Sequence, residues 1–328
     1  AITLAADQDV LINAKVDGAT GAITAQADRD VTINSDAQTT GNVNLSAGRA
    51  ITETANGRIL NAALLSTDSV SGQTLKQANT VQALNATNSG TGDIELVNTA
   101  NPLTITGISQ NGGNIVVDNT GDLKTTGAIT TAANGNISLK AAGSETIGAA
   151  VTAGGSGNVT LQADGADSNI AINADVSSTS GQITAQAGKN IGIGAAVDTT
   201  GNVALTAGGS IAETDPGKIS NAALLTTTSK GSQTLKGLNT VHSLNATNSG
   251  TGDIELVNTA NPLTITGISQ NGGNIVVDNT GDLKTTGAIT TAANGNVSLK
   301  AAGSETIDAN ITAGGSGNVT LQANGTSS

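Results

Sequence analysis

The sequence predicts an all-β protein, a parallel β-solenoid with about 20–24 residues per coil and a triangular cross-section. Three observations predict this fold: a nearly verbatim internal duplication, a shorter repeat that begins with glycine, and the absence of every aromatic residue. Repetition at two lengths is typical of proteins in which each unit packs only against its neighbours. We therefore expect residues 1–328 to form one continuous solenoid segment of a longer protein.

The duplication has an offset of 160 residues. Residues 84–136 recur unchanged as residues 244–296, and the two copies extend over about 4–164 and 161–324. Such a copy suggests an array that tolerates lengthening. A stack of coils has this property because each coil contacts only the coils beside it.

The shorter repeat predicts three strands in each coil. Glycine precedes an alternating apolar stretch in Gly92–Leu96 and Gly135–Leu139, and a period of two is typical of a strand with one buried face. The Gly-Asn pairs predict turns, because both residues accept a positive φ at low cost. A second strand follows, as in Leu103–Ile105. Single apolar positions that mark a third strand are Ile108, Ile129, Val151, Val176 and Val197.

Stacked coils explain how a chain without aromatic residues can fill a core. Equivalent residues of successive coils lie about 4.8 Å apart, so aliphatic side chains contact one another directly. We expect two buried columns. One consists of Ile115, Ile137 and Val159, and the other of Val117, Leu139 and Leu161. Ser138 should lie on the outer face between them. An antiparallel sandwich is the competing architecture, but the near-constant period favours the solenoid.

Both ends of the sequence lack the features of a complete chain. Ile2–Leu4 reads as a strand without its leading glycine, Gly317–Leu321 ends within one coil, and no methionine is present. We expect an interior or processed piece of a longer protein.

Composition excludes several classes of function. Basic residues number 13 and acidic residues 25, which gives a net charge of −12. A chain with this charge and no aromatic ring is poorly suited to binding nucleic acid. No apolar stretch approaches the roughly 18 residues of a membrane helix, so membrane insertion is not expected. The lack of cysteine excludes disulfides and thiolate chemistry and is compatible with export.

The sequence predicts no catalytic residue. His242 is the single histidine, and Gln82 holds its place in the first copy, so we interpret it as a surface substitution. Hydrolysis of a glycosidic bond needs two converging carboxylates. The nearest candidates are Asp118 and Asp122, with copies Asp278 and Asp282, but Asp118 alternates with Val117 and should point outward.

No cofactor or metal site is predicted either. Asp164–Asp167 is acidic but matches no calcium-binding loop, and Gly154–Gly157 lacks the Gly-Lys-Ser/Thr of a phosphate loop. Threonine pairs such as Thr125–Thr126, Thr130–Thr131 and the run Thr226–Thr228 suggest ice binding, but they lack the regular spacing that this activity requires. Turn asparagines are expected to form stacked amide ladders rather than a ligand site; they are Asn114, Asn136 and Asn158.

The chain resembles the repeat shaft of filamentous-haemagglutinin-type exoproteins, which are large adhesins that Gram-negative bacteria secrete by two-partner secretion. The resemblance covers essentially all 328 residues and is carried by the Gly-Asn-Ile-x-Leu strands and by the stretches Gly72–Leu75, Ala78–Val81 and Leu84–Ala86. It implies a right-handed parallel β-helix at the cell surface or outside the cell. Asn101–Leu103 superficially resembles a motif of the family's secretion domain, but it lies within a coil, and we interpret it as a turn.

We therefore expect a non-enzymatic structural shaft of a secreted, surface-exposed filamentous adhesin that mediates attachment, cell aggregation or contact with biofilm matrix. The expected partners are extracellular polysaccharide, a host or neighbouring-cell surface, sister filaments and, for the full-length protein, an outer-membrane secretion partner. Two alternatives remain open. The same shaft would serve a contact-dependent inhibition protein that delivers a toxin, and β-helices also occur in polysaccharide lyases and hydrolases.

Overall fold

A computed structural model describes residues 1–325 as β-strands joined by short turns, with no helix among them. The strands divide between two compact units, Ala1–Asp164 and the residues from Gly165 onward. Within each unit the strands of successive coils pair in parallel, which confirms the predicted β-solenoid.

The first unit contains β1 (Ile2–Ala6), β2 (Val10–Ile12), β3 (Val16–Ala19), β4 (Ile23–Ala27), β5 (Val31–Ile33), β6 (Ala37–Thr39), β7 (Val43–Ala47), β8 (Ile51–Glu53), β9 (Ile59–Leu60), β10 (Leu65–Ser69), β11 (Gln73–Asn79), β12 (Ala83–Asn88), β13 (Ile94–Asn98), β14 (Leu103–Gln110), β15 (Ile115–Asn119), β16 (Leu123–Thr125), β17 (Ile129–Thr131), β18 (Ile137–Ala141), β19 (Glu145–Ile147), β20 (Val151–Ala153) and β21 (Val159–Ala163).

The second unit contains β22 (Ile170–Ile172), β23 (Val176–Ser178), β24 (Ile183–Ala187), β25 (Ile191–Ile193), β26 (Ala196–Asp198), β27 (Asn202–Ala207), β28 (Ile211–Glu213), β29 (Lys218–Ser220), β30 (Leu224–Ser229), β31 (Gln233–Asn239), β32 (Ser243–Asn248), β33 (Ile254–Asn258), β34 (Leu263–Gln270), β35 (Ile275–Asn279), β36 (Leu283–Thr285), β37 (Ile289–Thr291), β38 (Val297–Ala301), β39 (Glu305–Ile307), β40 (Ile311–Thr312) and β41 (Val319–Ala323).

Each unit has three faces of parallel strands, as the three-strand repeat predicts. In the first unit one face runs through β1, β4, β7, β10, β12, the end of β14, β17 and β20. The second runs through β2, β5, β8, β11, β13, β15, β18 and β21. The third is interrupted: β3, β6 and β9 lead to a single bridge between Leu60 and Thr80, and pairing resumes at β14, β16 and β19.

The core consists of aliphatic columns. Ile115 pairs with Ile137 and Ile137 with Val159, while a parallel column joins residues 117, 139 and 161. All six side chains are buried and Ser138 lies on the outer face, so both predicted columns and the strand register are confirmed. Because equivalent residues lie directly over one another, each side chain packs against a near-copy of itself.

Glycine at the coil corners has a different role from the one predicted. Gly92 and Gly135, which begin two coils, do not have a positive φ; among the described glycines that conformation occurs at Gly72, Gly107, Gly155, Gly267 and Gly315. The chain does turn at these corners, but a positive φ is not the reason for these two glycines. A Cβ atom on Gly92 would lie 1.9 Å from the Ser71 carbonyl oxygen, and one on Gly135 would lie 2.2 Å from the Gly113 carbonyl oxygen. Close approach of the neighbouring coil is what requires glycine.

Amide side chains inside the unit satisfy backbone groups where the chain turns. The Asn98 side chain is 0 % exposed. Its Oδ1 accepts the Val81 N–H at 2.8 Å, and its Nδ2 donates to the Val81 carbonyl at 3.1 Å and to Asn119 Oδ1 at 3.0 Å. Asn119 in turn accepts the Ala100 N–H at 3.0 Å. These amides replace ladder partners that the backbone loses at the corner.

Candidate functional site at the glutamate-capped bulges

The most irregular feature of each unit is a bulge in one strand. In β11, Leu75 pairs with Leu96 and Asn79 pairs with Asn98, so residues 76–78 lie opposite Val97 alone. In β31 the same shift places residues 236–238 opposite a single residue of β33. We call these segments bulge 76–78 and bulge 236–238. A bulge leaves backbone groups outside the ladder, and these groups need other partners.

A glutamate from the preceding coil supplies that partner in the first unit. Glu53 is the last residue of β8, and its Oε2 accepts the Gln77 N–H at 3.0 Å and the Asn79 Nδ2 at 3.1 Å. Its other oxygen, Oε1, is buried and has no hydrogen-bond partner among the described residues. One carboxyl oxygen therefore holds the bulge, and the other is enclosed without a donor.

The second unit repeats this arrangement. Glu213 Oε2 accepts the Gly237 N–H at 2.7 Å and the Asn239 Nδ2 at 3.0 Å. Its Oε1 is likewise buried and without a partner in the described part of the chain. The flanking residues differ between the two units, so the same geometry forms in two sequence contexts.

Burial changes the proton affinity of both glutamates. Loss of solvation raises the pKa of Glu53 to about 7, and the hydrogen bonds from Gln77 and Asn79 oppose that rise. The pKa of Glu213 is raised for the same reason, against the bonds from Gly237 and Asn239. Desolvation disfavours the charged form of a carboxyl group, which is the cause in both cases.

The bulge of the second unit borders a surface pocket of about 440 Å³. Its walls are residues 213–218 and 236–238. Leu238 stands at its rim and is 80 % exposed, while Ala78 holds the equivalent place in the first unit. Glu213 and Asp215 are the two carboxylates of the wall, but Glu213 directs its two oxygens to the bulge and to a buried position.

A third buried glutamate lies within a face of the first unit. Glu145 begins β19, pairs with Leu123 and is 0 % exposed. Neither carboxyl oxygen accepts a hydrogen bond from a described residue. Burial raises its pKa well above the ordinary value, and the nearby backbone N–H of Gln162 offsets this only in part. Burial without a hydrogen-bond donor therefore favours the neutral acid at this position.

The sequence reasoning missed all three glutamates, although the signal was present. In Ile51–Glu53 and Glu145–Ile147 the glutamate lies two residues along the strand from a buried isoleucine. A period of two therefore places each carboxyl group on the inner face. Because burial of a charge is costly, a glutamate at such an inward position is unusual.

The residues considered for catalysis make local contacts instead. His242 Nδ1 lies 3.3 Å from the Ala222 carbonyl oxygen. Asp118 points outward from β15, as predicted, and lies 4.0 Å from the Lys140 ammonium group. Asp122 Oδ1 accepts the Ser144 N–H at 2.8 Å. The two aspartates thus have separate partners, and so do their copies, since Asp278 binds Lys300 at 2.7 Å and Asp282 accepts the Ser304 N–H at 2.8 Å.

The acidic loop and the glycine-rich loop also form structural contacts. Asp164 pairs with Lys140 at 3.3 Å, and Asp167 pairs with Lys189 at 3.5 Å. Ser156 donates through its backbone N–H and its hydroxyl to Asn134 Oδ1. Within residues 1–325 no group of three or more His, Cys, Asp or Glu side chains is arranged to hold a metal ion.

Threonine pairs alternate between the two sides of a strand. Thr125 is buried and Thr126 exposed, and Thr227 is buried with its hydroxyl donating to Gln233 Oε1 at 2.5 Å. Adjacent hydroxyl groups of a pair therefore do not share a surface. The Asn101–Pro102 segment is a turn, as predicted.

The predicted outer amide ladder is confirmed. Asn136 donates through its backbone N–H and its Nδ2 to Asn114 Oδ1 at 2.9 and 3.0 Å. The Asn158 N–H continues the ladder to Asn136 Oδ1 at 2.8 Å. Asp93 begins it by accepting the Asn114 N–H at 2.8 Å. These side chains bind the next coil.

No family model, no curated protein and no solved structure matches the chain. Among the described residues, no helix is long and apolar enough to cross a membrane.

Proposed function

We propose that the chain is part of the structural shaft of a secreted, surface-exposed filamentous adhesin of a Gram-negative bacterium. The observation that supports this most is the continuous parallel pairing of strands from coil to coil inside each unit. From β2 to β21 one face passes from coil to coil without an antiparallel strand. Such a stack grows in one dimension as coils are added, which suits a spacer.

The polar contacts support a structural role for the same reason. Asparagine ladders, ion pairs between coils and inward amides all join one coil to the next. Arg29 binds Asp9 at 2.6 Å and Arg58 binds Asp36 at 2.8 Å, both across a coil-to-coil step. Most of the polar and charged side chains named here are thus engaged in contacts that hold the coils together.

In this proposal the shaft carries an adhesive region away from the cell, and attachment, aggregation or matrix contact depends on that distance. Its expected surroundings are extracellular polysaccharide, host or neighbouring cells, and sister filaments. Export requires an outer-membrane partner, which acts on the full-length protein. The shaft itself performs no catalysis in this proposal.

Deletion of one copy in the encoding bacterium tests the proposal. Removing residues 165–324 shortens the shaft by one copy and leaves a complete first copy. Export and surface display should persist while attachment and aggregation decrease. The matched control replaces residues 165–324 with a second exact copy of residues 5–164, which restores length with a different sequence and should restore attachment.

Three results would contradict the proposal. Loss of attachment in the length-restored control would assign the activity to the second copy's own surface rather than to its length. Depolymerisation of acidic or neutral glycans by the purified chain would assign it to an enzyme. Killing of neighbouring cells that depends on the parent protein would assign the shaft to toxin delivery.

A further inference from the structure

The two bulges share a geometry that a purely structural cap does not require. In each unit a single oxygen of a glutamate accepts both donors of the bulge, and the second oxygen is enclosed without any donor in the described chain. This arrangement fits a neutral acid, in which Oε2 is the carbonyl oxygen and Oε1 carries the proton. It fits a carboxylate poorly, because half of the charge would lie on an unsolvated atom.

We propose that Glu53 and Glu213 are proton-controlled latches, which keep bulge 76–78 and bulge 236–238 closed while their carboxyl groups are neutral and release them when the proton is lost. The bulges are suited to local opening because their residues lie outside the strand ladder. Few backbone bonds must break before water reaches Oε1. Segments of this kind open at a lower free-energy cost than a ladder does.

The charged residues around Glu53 are engaged with one another. On the following turn Arg58 binds Asp36 at 2.8 Å, and on β11 Lys76 binds Glu95 at 2.7 Å. None of the four hydrogen-bonds to Glu53 in the described structure. The carboxyl group therefore meets no compensating positive charge, and burial dominates its behaviour.

The charged residues around Glu213 differ in part from those around Glu53. Asp215 lies on the adjacent turn and Lys218 begins β29, and both line the pocket. Lys236 binds Glu255 at 2.7 Å, as Lys76 binds Glu95 in the first unit. The donors to Glu213 are nevertheless the Gly237 N–H and the Asn239 amide, as in the first unit. The latch thus depends on the bulge and not on a salt bridge.

The direction of the pH response follows from burial. The pKa of Glu53 in the closed bulge is about 7, above the ordinary value of 4.5 that applies once the bulge has opened. A raised pKa stabilises the closed form fully below pH 4.5, and this stabilisation is lost as the pH rises to about 7. Local opening should therefore become easier over this interval and level off above it.

Hydrogen exchange on the full chain tests the proposal. Exchange of the amides in 73–79 and 233–239 is measured from pH 5 to pH 8 and corrected for the intrinsic pH dependence of amide exchange. We expect the corrected opening equilibrium of 73–79 to increase about seventyfold over this range. An increase in the same direction is expected for 233–239.

Variants separate the latch from general pH effects. Glu53→Gln should make 73–79 insensitive to pH while 233–239 keeps its response, and Glu213→Gln should do the reverse. Glu95→Gln is the matched control, because it removes a partly exposed carboxylate that pairs with Lys76 of the first bulge and leaves the Glu53 carboxyl group in place. It should leave both responses intact.

Three outcomes would overturn the proposal. They are a wild-type exchange profile that does not depend on pH, a Glu53→Gln profile that responds like the wild type, and loss of the response in Glu95→Gln. If Glu53→Gln does not fold, carboxyl carbon NMR of the wild-type chain decides. A Glu53 midpoint near 7 supports the latch, and one near 4.5 refutes it.

Discussion

Glu145 allows a stabilising substitution to be predicted from a single buried side chain. Leucine has nearly the size of glutamate, and Glu145 pairs with Leu123 in the core of the third face. Glu145→Leu should therefore extend an aliphatic column without leaving a cavity. It removes two buried oxygens that have no hydrogen-bond partner among residues 1–325.

The expected gain depends on pH. At pH 4 the carboxyl group is neutral in the folded and the unfolded chain, so the gain is the cost of burying an unsatisfied polar group, about 1–3 kcal/mol. The pKa of Glu145 is raised by burial, so at pH 7 the wild-type chain must also forgo ionisation when it folds. Stability of the wild type is lost as the pH rises above the unfolded pKa, and the gain from leucine should grow accordingly.

Urea denaturation at pH 4 and pH 7 measures both effects, with hydrogen exchange of β18 and β19 as a local readout. Two variants serve as controls. Glu145→Gln removes the ionisable group but keeps a buried polar one, so it should gain stability at pH 7 and little at pH 4. Glu305→Leu changes the copy, whose carboxyl group is less buried, and should gain less.

A lower stability of Glu145→Leu at both pH values would refute the reasoning, because it would mean that the carboxyl group has a partner that the described contacts lack. An equal gain in Glu305→Leu would show that burial does not set the magnitude. A gain that does not change with pH would contradict the raised pKa.

Three further outcomes are expected. Ile137→Asp should destabilise its coil by several kcal/mol, because an unpaired carboxylate enters an aliphatic column. Ser138→Asp on the outer face should change stability by less than about 0.5 kcal/mol. Hydrogen exchange of β15, β18 and β21 distinguishes the two variants. Asn98→Ala should lower the free energy of unfolding by about 3 kcal/mol, because the backbone N–H and carbonyl of Val81 lose the partners that Asn98 provides. Asn136→Ala on the exposed ladder should lower it by less than about 1 kcal/mol. Urea denaturation measures both changes. Stability of the wild type should fall between pH 4.5 and pH 7, and a variant with glutamine at all three buried glutamates should show a flatter profile in the same assay.

The parts of the fold that depend on the backbone alone were predictable from the sequence. Alternation identifies which residues face inward because successive side chains of a strand point to opposite sides. Ile115, Ile137 and Val159 form a column for this reason, and their equal distance from a glycine was sufficient to predict the pairing. The outer ladder of Asn114, Asn136 and Asn158 follows from the same register.

The candidate site depends on contacts between coils that no local pattern contains. Bulge 76–78 arises because β11 has two more residues than β13 between the same paired positions, a mismatch that appears only once the register is known. Glu53 reaches this bulge from 24 residues earlier in the chain. The inward position of Glu53 was readable from Ile51, but the bulge that it holds was not.

The function of the corner glycines could not be predicted because it depends on a distance. Sequence patterns associate Gly-Asn with a left-handed turn, and this association is correct for many isolated turns. Here the distance between a corner and the carbonyl group of the previous coil decides the residue. That distance is a property of the stack and not of the turn.

The corner glycines also affect how the gene can vary. Any mutation that replaces a glycine with another amino acid adds a Cβ atom. At Gly121 this atom would lie 2.0 Å from the Ala100 carbonyl oxygen. At these corners even alanine requires a shift of the neighbouring backbone. Substitutions in such a chain are therefore expected at outward positions rather than at these corner glycines. One example is Asp68, where the second copy has Thr228. At corners such as Gly121, glycine marks a position that is less free to change rather than a flexible one.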